Sequence, residues 1–137
     1  MSKQNIDITV DAVVFLKRND SLKILLIKRK NDPFKNQWAL PGGFLEDNEK
    51  LEKGAQRELE EETGIKTGHM EQVGIFATPG RDPRGRVISI AFTTVISQEV
   101  PVKGNDDATD AKWFDINELP NLAFDHSEII TKAKNML

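Results

Sequence analysis

The stretch GGFLEDNEKLEKGAQRELEEETGI, residues Gly42–Ile65, holds the strongest structural signal in this chain. It places two glycines before a run of helix-forming residues that is rich in glutamate. At about 100° of rotation per residue, Leu51, Ala55 and Leu59 fall on one narrow stripe of a helix. This stripe predicts the face that packs against the rest of the protein, and Gly64 predicts a left-handed cap where the helix ends.

Three glutamates of this helix share a face that adjoins the apolar stripe. Glu58, Glu61 and Glu62 are spaced i, i+3 and i+4, which places their carboxylates side by side, whereas Glu60 points to solvent. Like charges at this spacing repel one another, and a divalent cation relieves the repulsion. Hard cations such as Mg²⁺ take oxygen ligands, usually a few carboxylates together with water and phosphate oxygens. The alternative is an acidic helix end in solvent, but the preceding glycine turn and Arg57 favour a metal site.

The order of these residues resembles the Nudix box. That pattern is glycine, five residues, glutamate, seven residues, Arg-Glu, an aliphatic residue, any residue, Glu-Glu, any residue, glycine and an aliphatic residue. Every fixed position is filled here, by Gly43, Glu49, Arg57, Glu58, Leu59, Glu61, Glu62, Gly64 and Ile65. The resemblance implies an α/β (α+β) fold of the Nudix type, an α/β/α sandwich with a mixed β-sheet between helices. We expect residues 1–137 to form one such domain.

The same resemblance implies the chemistry of the site. The three glutamates would hold Mg²⁺ or Mn²⁺ with the Gly42 carbonyl as a further ligand, and Glu49 would pair with Arg57. The implied reaction is attack of water on a pyrophosphate phosphorus of a nucleoside diphosphate derivative. The proton would pass to a box glutamate or to an acid of the Asp106–Asp107 loop. The residues expected to act in catalysis are Glu49, Arg57, Glu58, Glu61 and Glu62. The expected metal ligands are Gly42, Glu58, Glu61 and Glu62.

A second informative segment is Thr78–Arg86, which reads TPGRDPRGR. Its three arginines alternate with turn-forming residues. One guanidinium group can bind two oxygens of a phosphate at the same time. From spacing alone, a phosphate-binding loop and a solvated hairpin loop are equally compatible with this segment. It also resembles a segment of Nudix enzymes that act on ADP-ribose and of regulators that bind it. Trp38 and the segment Ala123–His126 fit the same subgroup.

Other residues have two interpretations each. Arg29 ends a predicted strand and either reaches a phosphate or is only solvated, and Trp38 either lies in the core or lines the nucleotide pocket. His126 is either a ligand contact or a structural residue. The predicted substrate contacts are Arg29, Trp38, Arg81, Arg84 and Arg86.

Three functions are compatible with these motifs. The first is hydrolysis of ADP-ribose to AMP and ribose 5-phosphate, which the arginine segment favours. The second is hydrolysis of modified nucleoside triphosphates such as 8-oxo-dGTP, because the box is common to both enzyme classes. The third is a non-catalytic ADP-ribose sensor, which the intact box and the end of the chain at Leu137 disfavour, since such regulators carry a DNA-binding domain.

Composition limits the remaining choices. The net charge of −3 gives no reason to expect binding to nucleic acid or to an anionic membrane. The chain has no cysteine, which excludes disulfides, thiolate metal sites and a cysteine nucleophile. We find no signal-type or membrane-spanning apolar run, so a cytoplasmic location is the simplest expectation. A homodimer is implied by the resemblance alone.

The hydrophobic pattern places the other elements around the box helix. We predict a hairpin of two strands, a short extended piece, a Pro41–Gly43 turn, three later strands and a closing helix. The predicted strands are Ile6–Leu16, Leu22–Arg29, Trp38–Leu40, one within Ile65–Ala77, Arg86–Gln98 and Ala111–Ile116. The predicted helices are Lys50–Thr63 and Ala123–Leu137.

Overall fold

Hydrophobic strands and two amphipathic helices form the described part of the chain, which in this computed structural model comprises residues 3–102 and 108–137. The elements follow one another as β1 (Asp7–Arg18), β2 (Ser21–Arg29), β3 (Trp38–Ala39), β4 (Gly42–Phe44), α1 (Leu51–Thr63), β5 (Glu71–Phe76), β6 (Val87–Ile96), β7 (Ala108–Asp115) and α2 (His126–Lys134). Within these ranges, neither helix has the length and apolar character needed to span a membrane.

The strands form one mixed sheet with β1 at its centre. The order along the sheet is β3-β2-β1-β6-β5, with β4 also paired to β1 and β7 to β2. β1 and β6 run parallel from the pair Asp7 and Val87 to the pair Leu16 and Ile96. The other pairs are antiparallel, including the predicted hairpin of β1 and β2.

The apolar residues of β1 are buried on both faces of the sheet, which explains why this strand reads as a nearly continuous hydrophobic run. Val10, Ala12 and Val14 pack with Ala55 and Leu59 of α1. The alternate residues of β1, Val13 and Phe15, pack with residues of α2, among them Ile129, Ile130 and Ala133. The two helices therefore cover opposite faces, and the expected α/β/α sandwich is confirmed.

The box helix matches its prediction closely. α1 buries Ala55 and Leu59 as the stripe requires, although Leu51, the first member of the stripe, is exposed. Gly64 has a φ of 81° and donates its N–H to the carbonyl of Glu60 at 2.8 Å, which is the predicted left-handed cap.

Two predictions are wrong for a clear physical reason, the turn at the two glycines and the start of the last helix. Gly42 and Gly43 do not form a turn but pair with Asp11 and Val10 of β1, because the absence of side chains lets this backbone lie close against its neighbours. The last helix begins at His126 rather than at Ala123. Phe124 has a positive φ of 53°, which a right-handed helix does not allow.

Candidate active site

A cavity of about 530 Å³ lies among the β4 glycines, α1, the 81–84 loop and the start of α2. The sheet places Asp11 of β1 and Arg29 of β2 at its wall, and the box helix contributes its glutamate face. The predicted site residues that line it are Arg29, Gly42, Arg57, Glu58, Glu61, Glu62, Arg81 and Arg84. Glu49, Trp38 and Arg86 are not among the residues that line it.

Arg57 organises the carboxylates at one side of the cavity. Its Nε and Nη2 donate to Glu49 at 2.7 and 3.0 Å, which is the pair that the box implied. Its Nη1 donates to Glu58 at 2.7 Å and to Glu61 at 3.1 Å. Hydrogen bonds to Glu49 are the largest reason that the pKa of Arg57 is raised, and they lower the pKa of Glu49 in return. One guanidinium therefore fixes two of the three glutamates among the candidate metal ligands.

Glu62 lies in a different environment from the other box glutamates. Only 3% of this residue is exposed, and its Oε1 accepts the N–H of Gly42 at 3.3 Å. Its Oε2 is buried without a hydrogen-bond partner. Burial raises the pKa of Glu62 to about 10, and the neighbouring charges of Glu58 and Asp11 act in the same direction. Burial and the neighbouring charges therefore favour the protonated form of this carboxyl group as long as no cation faces it.

This buried oxygen is the observation that tests the fit of a metal. A divalent cation would give the Glu62 Oε2 a partner and replace its proton, and the surrounding donors are hard oxygens of the kind that Mg²⁺ and Mn²⁺ take. Across residues 3–102 and 108–137, no group of three or more acidic or histidine side chains is already arranged around a metal position. Arg57 holds two of the glutamates, Glu58 and Glu61, through its own hydrogen bonds. The residues fit a divalent cation in their chemical type.

Asp11 is a buried carboxylate of β1 that lies beside Gly42 of β4. Asp11 accepts a hydrogen bond from the Ser89 hydroxyl and lies 3.7 Å from Nε2 of His126. The Nδ1 of His126 accepts the N–H of Leu40 at 3.0 Å, so the ring proton must be on Nε2 and face Asp11. Burial lowers the pKa of His126, which keeps the ring neutral. His126 is thus a structural link between α2 and the strand that leads into Gly42, and it also lines the cavity.

The three arginines of the 78–86 segment donate hydrogen bonds to other residues of the protein. Arg81 donates from Nε and Nη2 to Asp125 at 2.9 and 2.6 Å, and only 4% of its side chain is exposed. Arg84 donates to Asp82, and Arg86 to the carbonyl of Ala77. The spacing left a phosphate-binding loop and a solvated loop equally open, and it could not show the distant Asp125 that pairs with Arg81. Contact with a substrate remains a prediction for all three.

Arg81→Gln is expected to lower the free energy of unfolding by about 3–5 kcal/mol, because it leaves the half-buried Asp125 without its bidentate partner. Urea denaturation measures the change. Lys66→Gln is the matched control, since Lys66 pairs with Glu60 at 3.8 Å in solvent and should contribute less than about 1 kcal/mol. Equal effects of the two substitutions would contradict a structural role for the Arg81–Asp125 pair.

Other predicted residues have partners that explain their positions. Trp38 packs edge-to-face on Phe114 with ring centres 4.7 Å apart and lies against the core, and its contact with a substrate stays a prediction. Arg29 donates to the carbonyl of Pro33 at 2.7 Å and lines the cavity. Asp106 and Asp107, the predicted alternative bases, lie outside the described residues.

Asp11, Phe44 and Phe124 are among the residues that line the cavity and that sequence reasoning did not predict as site residues. Asp11 had a signal, because it is the single charge within the apolar run of residues 8–16, and a buried charge requires a partner or a function. Phe44 had none that distinguishes it from a core aromatic residue, and the only signal for Phe124 was its place in the 123–126 segment that resembles the ADP-ribose subgroup.

Comparison with known proteins places this geometry in a family. The NUDIX domain model matches residues 7–133. The chain is 54% identical over 109 residues to an ADP-ribose pyrophosphatase of Methanocaldococcus jannaschii, covering 79% of this chain and 63% of that protein. It is 36% identical over 129 residues to the ADPR responsive transcriptional repressor NtrR of Acinetobacter baylyi, covering 91% of this chain and 52% of that protein.

A solved structure shows the same architecture. The NUDIX domain of Shewanella oneidensis NrtR complexed with ADP ribose has a TM-score of 0.88 and 33% identity, over 98% of this chain and 90% of that chain. The chain spans less than two thirds of the length of the two relatives named above. The matched model, the identities and the complete box together show that this chain belongs to the Nudix family.

Proposed function

We propose that this protein hydrolyses the pyrophosphate of a nucleoside diphosphate derivative, with ADP-ribose as substrate and AMP and ribose 5-phosphate as products. The observation that carries the proposal is the buried, unpartnered Oε2 of Glu62 beside Glu58 in an open cavity. A protein that had no cation to bind would gain stability by replacing that carboxyl group with an apolar side chain. Similarity to the Methanocaldococcus jannaschii ADP-ribose pyrophosphatase supports the choice of substrate.

Different residues of the cavity have different roles in the proposed hydrolysis. Glu58, Glu61, Glu62 and the Gly42 carbonyl would hold Mg²⁺ or Mn²⁺, which when bound neutralises phosphate charge and lowers the pKa of coordinated water. Arg57 fixes the directions of the Glu58 and Glu61 carboxylates through its own hydrogen bonds. A carboxylate of the box accepts the proton of the attacking water. The bond from the attacked phosphorus to its bridging oxygen breaks, and each product keeps one phosphate.

A substrate panel tests this proposal. The purified protein is incubated with Mg²⁺ or Mn²⁺ and with ADP-ribose, other dinucleotides or 8-oxo-dGTP, and products are separated by anion-exchange chromatography. We expect the highest kcat/KM for ADP-ribose, with AMP and ribose 5-phosphate formed in equal amounts and no turnover in EDTA. Preference for 8-oxo-dGTP would contradict the choice of substrate and support a hydrolase for modified triphosphates.

Similarity to the repressor NtrR favours one second candidate, a non-catalytic ADP-ribose sensor. Binding of ADP-ribose by calorimetry, without turnover under any metal condition, would support that candidate and contradict hydrolysis. Light scattering on the same samples tests the homodimer, which rests on the family resemblance alone.

A further inference from the structure

The cavity wall holds a second buried acid besides Glu62. Asp11 of β1 lines the cavity and is 5% exposed, compared with 3% for Glu62. Both side chains lie against Gly42 of β4. Glu62 accepts the Gly42 N–H at 3.3 Å, and a Cβ added at Gly42 would overlap Oδ1 of Asp11. Gly42, whose carbonyl is a candidate metal ligand, therefore lies between two buried carboxyl groups.

Among the described residues, Asp11 has no cationic partner within 4 Å. The basic side chain nearest to its carboxylate is His126, whose Nε2 lies at 3.7 Å. The Nδ1 of this ring accepts the Leu40 N–H at 3.0 Å, which a protonated ring could not do. The Arg81 guanidinium is held by Asp125 instead. A buried acid without a cationic partner is costly, because its desolvation is not offset by an ion pair.

The contacts that hold the Asp11 side chain do not require an acid. The fully buried Ser89 hydroxyl of β6 donates to Oδ2, and Oδ1 lies towards Gly42 and the His126 ring. A hydroxyl and a neutral ring can hold an asparagine as well as an aspartate, and burial of an amide costs less than burial of a carboxylate. Packing alone therefore does not explain why an acid occupies this position.

A cation at the box glutamates would give the Asp11 carboxylate a favourable partner. Burial is the largest cause of the raised pKa of Glu62, and the charges of Glu58 and Asp11 add to it. The charge of Asp11 is therefore felt at Glu62. Two acids that repel each other in the metal-free cavity both attract a divalent cation that binds beside them. Carboxylates behind the ligands of a metal are known to strengthen its binding.

We propose that Asp11 is a positioning residue of the cation site, whose charge strengthens the binding of a divalent cation at Glu62 and the Gly42 carbonyl. Ser89 occupies Oδ2 and Oδ1 lies against Gly42, so Asp11 acts from behind the ligands and is not one of them. The inference rests on the proposed function only in that the cavity takes a divalent cation. It gives β1 a part in cation binding that lies outside the box.

Titration with Mn²⁺ in the absence of substrate, followed by electron paramagnetic resonance, tests this role. Asp11→Asn keeps the shape of the side chain and removes its charge, and Asp11→Ser removes the charge with a smaller side chain. Each is expected to raise the Kd for Mn²⁺ about tenfold or more. The Mg²⁺ concentration that gives half-maximal turnover of ADP-ribose should rise by a similar factor. Far-UV circular dichroism in EDTA shows whether each variant folds.

Asp7→Asn is the matched control, because Asp7 lies four positions earlier on the same face of β1 but is exposed and does not line the cavity. It should leave the Kd for Mn²⁺ unchanged. A Kd within about twofold of the wild-type value in either folded Asp11 variant would overturn the inference, since loss of an outer partner has a larger effect. Failure of both Asp11 variants to fold in EDTA would also overturn it and would assign the acid to folding.

Turnover of ADP-ribose by the wild-type protein is measured separately, so that the inference and the proposed function fail independently. Turnover together with Mn²⁺ binding that does not depend on Asp11 keeps the proposed function and rejects the inference. Mn²⁺ binding that depends on Asp11, without turnover of any nucleotide, does the reverse.

Discussion

Glu62→Gln is expected to lower kcat for ADP-ribose by about a thousandfold or more and to make the metal-free protein more stable. Both effects have one cause, the buried carboxyl group whose Oε2 has no partner. Glutamine keeps the volume and still accepts the N–H of Gly42, but it is a poor ligand for a hard cation. A loss of about 4 kcal/mol of transition-state stabilisation corresponds to that factor. Steady-state kinetics at saturating Mg²⁺ gives kcat, and urea denaturation in EDTA gives the free energy of unfolding.

The raised pKa of Glu62 determines how the free energy of unfolding changes with pH. Burial raises the pKa of Glu62 from its ordinary value of 4.5 to about 10, so between these pH values the folded protein keeps a proton that the unfolded chain has lost. The contribution of this group to stability is therefore present below pH 4.5 and is lost progressively as pH rises towards 10. Glu62→Gln removes this loss of stability. We expect the free energy of unfolding of the variant to exceed that of the wild type by at least about 1 kcal/mol at pH 9.

Glu60→Gln is the matched control, since Glu60 lies two positions earlier in the same helix with 47% of its side chain exposed. It should change neither kcat nor the dependence of stability on pH. A Glu62→Gln variant with wild-type kcat would contradict the metal assignment. A variant with the same pH dependence as the wild type would contradict the raised pKa. The two assignments therefore fail separately.

The parts of the site that the sequence predicts are those that one helix determines. The spacing of Glu58, Glu61 and Glu62 fixes their common face, and the seven residues between Glu49 and Arg57 bring these two side chains together around the start of α1. Such relations follow from helix geometry and need no knowledge of the remaining fold.

The missing parts depend on contacts between distant segments. The Asp125 carboxylate that fixes Arg81 is 44 residues away, and the Leu40 N–H that binds His126 is 86 residues away. The spacing of the arginine segment was therefore compatible with both a phosphate-binding loop and a solvated loop, because the Asp125 partner of Arg81 cannot be identified from the local sequence. The β4 glycines looked like a turn for the same reason, since their pairing with β1 is a property of the sheet.

Gly43→Ala is expected to lower kcat for ADP-ribose by about a hundredfold while leaving the fold intact. An added Cβ would lie 2.7 Å from the Cδ and both carboxyl oxygens of Glu58, so the carboxylate has to move. The obstacle is the end of a flexible side chain and not backbone, and Gly43 does not need a positive φ, so the cost to stability should stay within about 1 kcal/mol. Displacement of a catalytic group by about 1 Å costs on the order of a hundredfold in rate.

Gly68→Ala provides the same chemical change in open space, because no atom lies within 4 Å of a Cβ added there. It should leave both kcat and the free energy of unfolding within experimental error. Each substitution adds one methyl group at a glycine outside the helices. The comparison therefore separates the effect of the position from the general effect of replacing a glycine by alanine. If Gly43→Ala retained full activity, the Glu58 carboxylate could be displaced without consequence, and its place at the reacting phosphate would be contradicted. If Gly43→Ala instead unfolded the protein, the tight approach of β4 to α1 would be a requirement of folding rather than of catalysis.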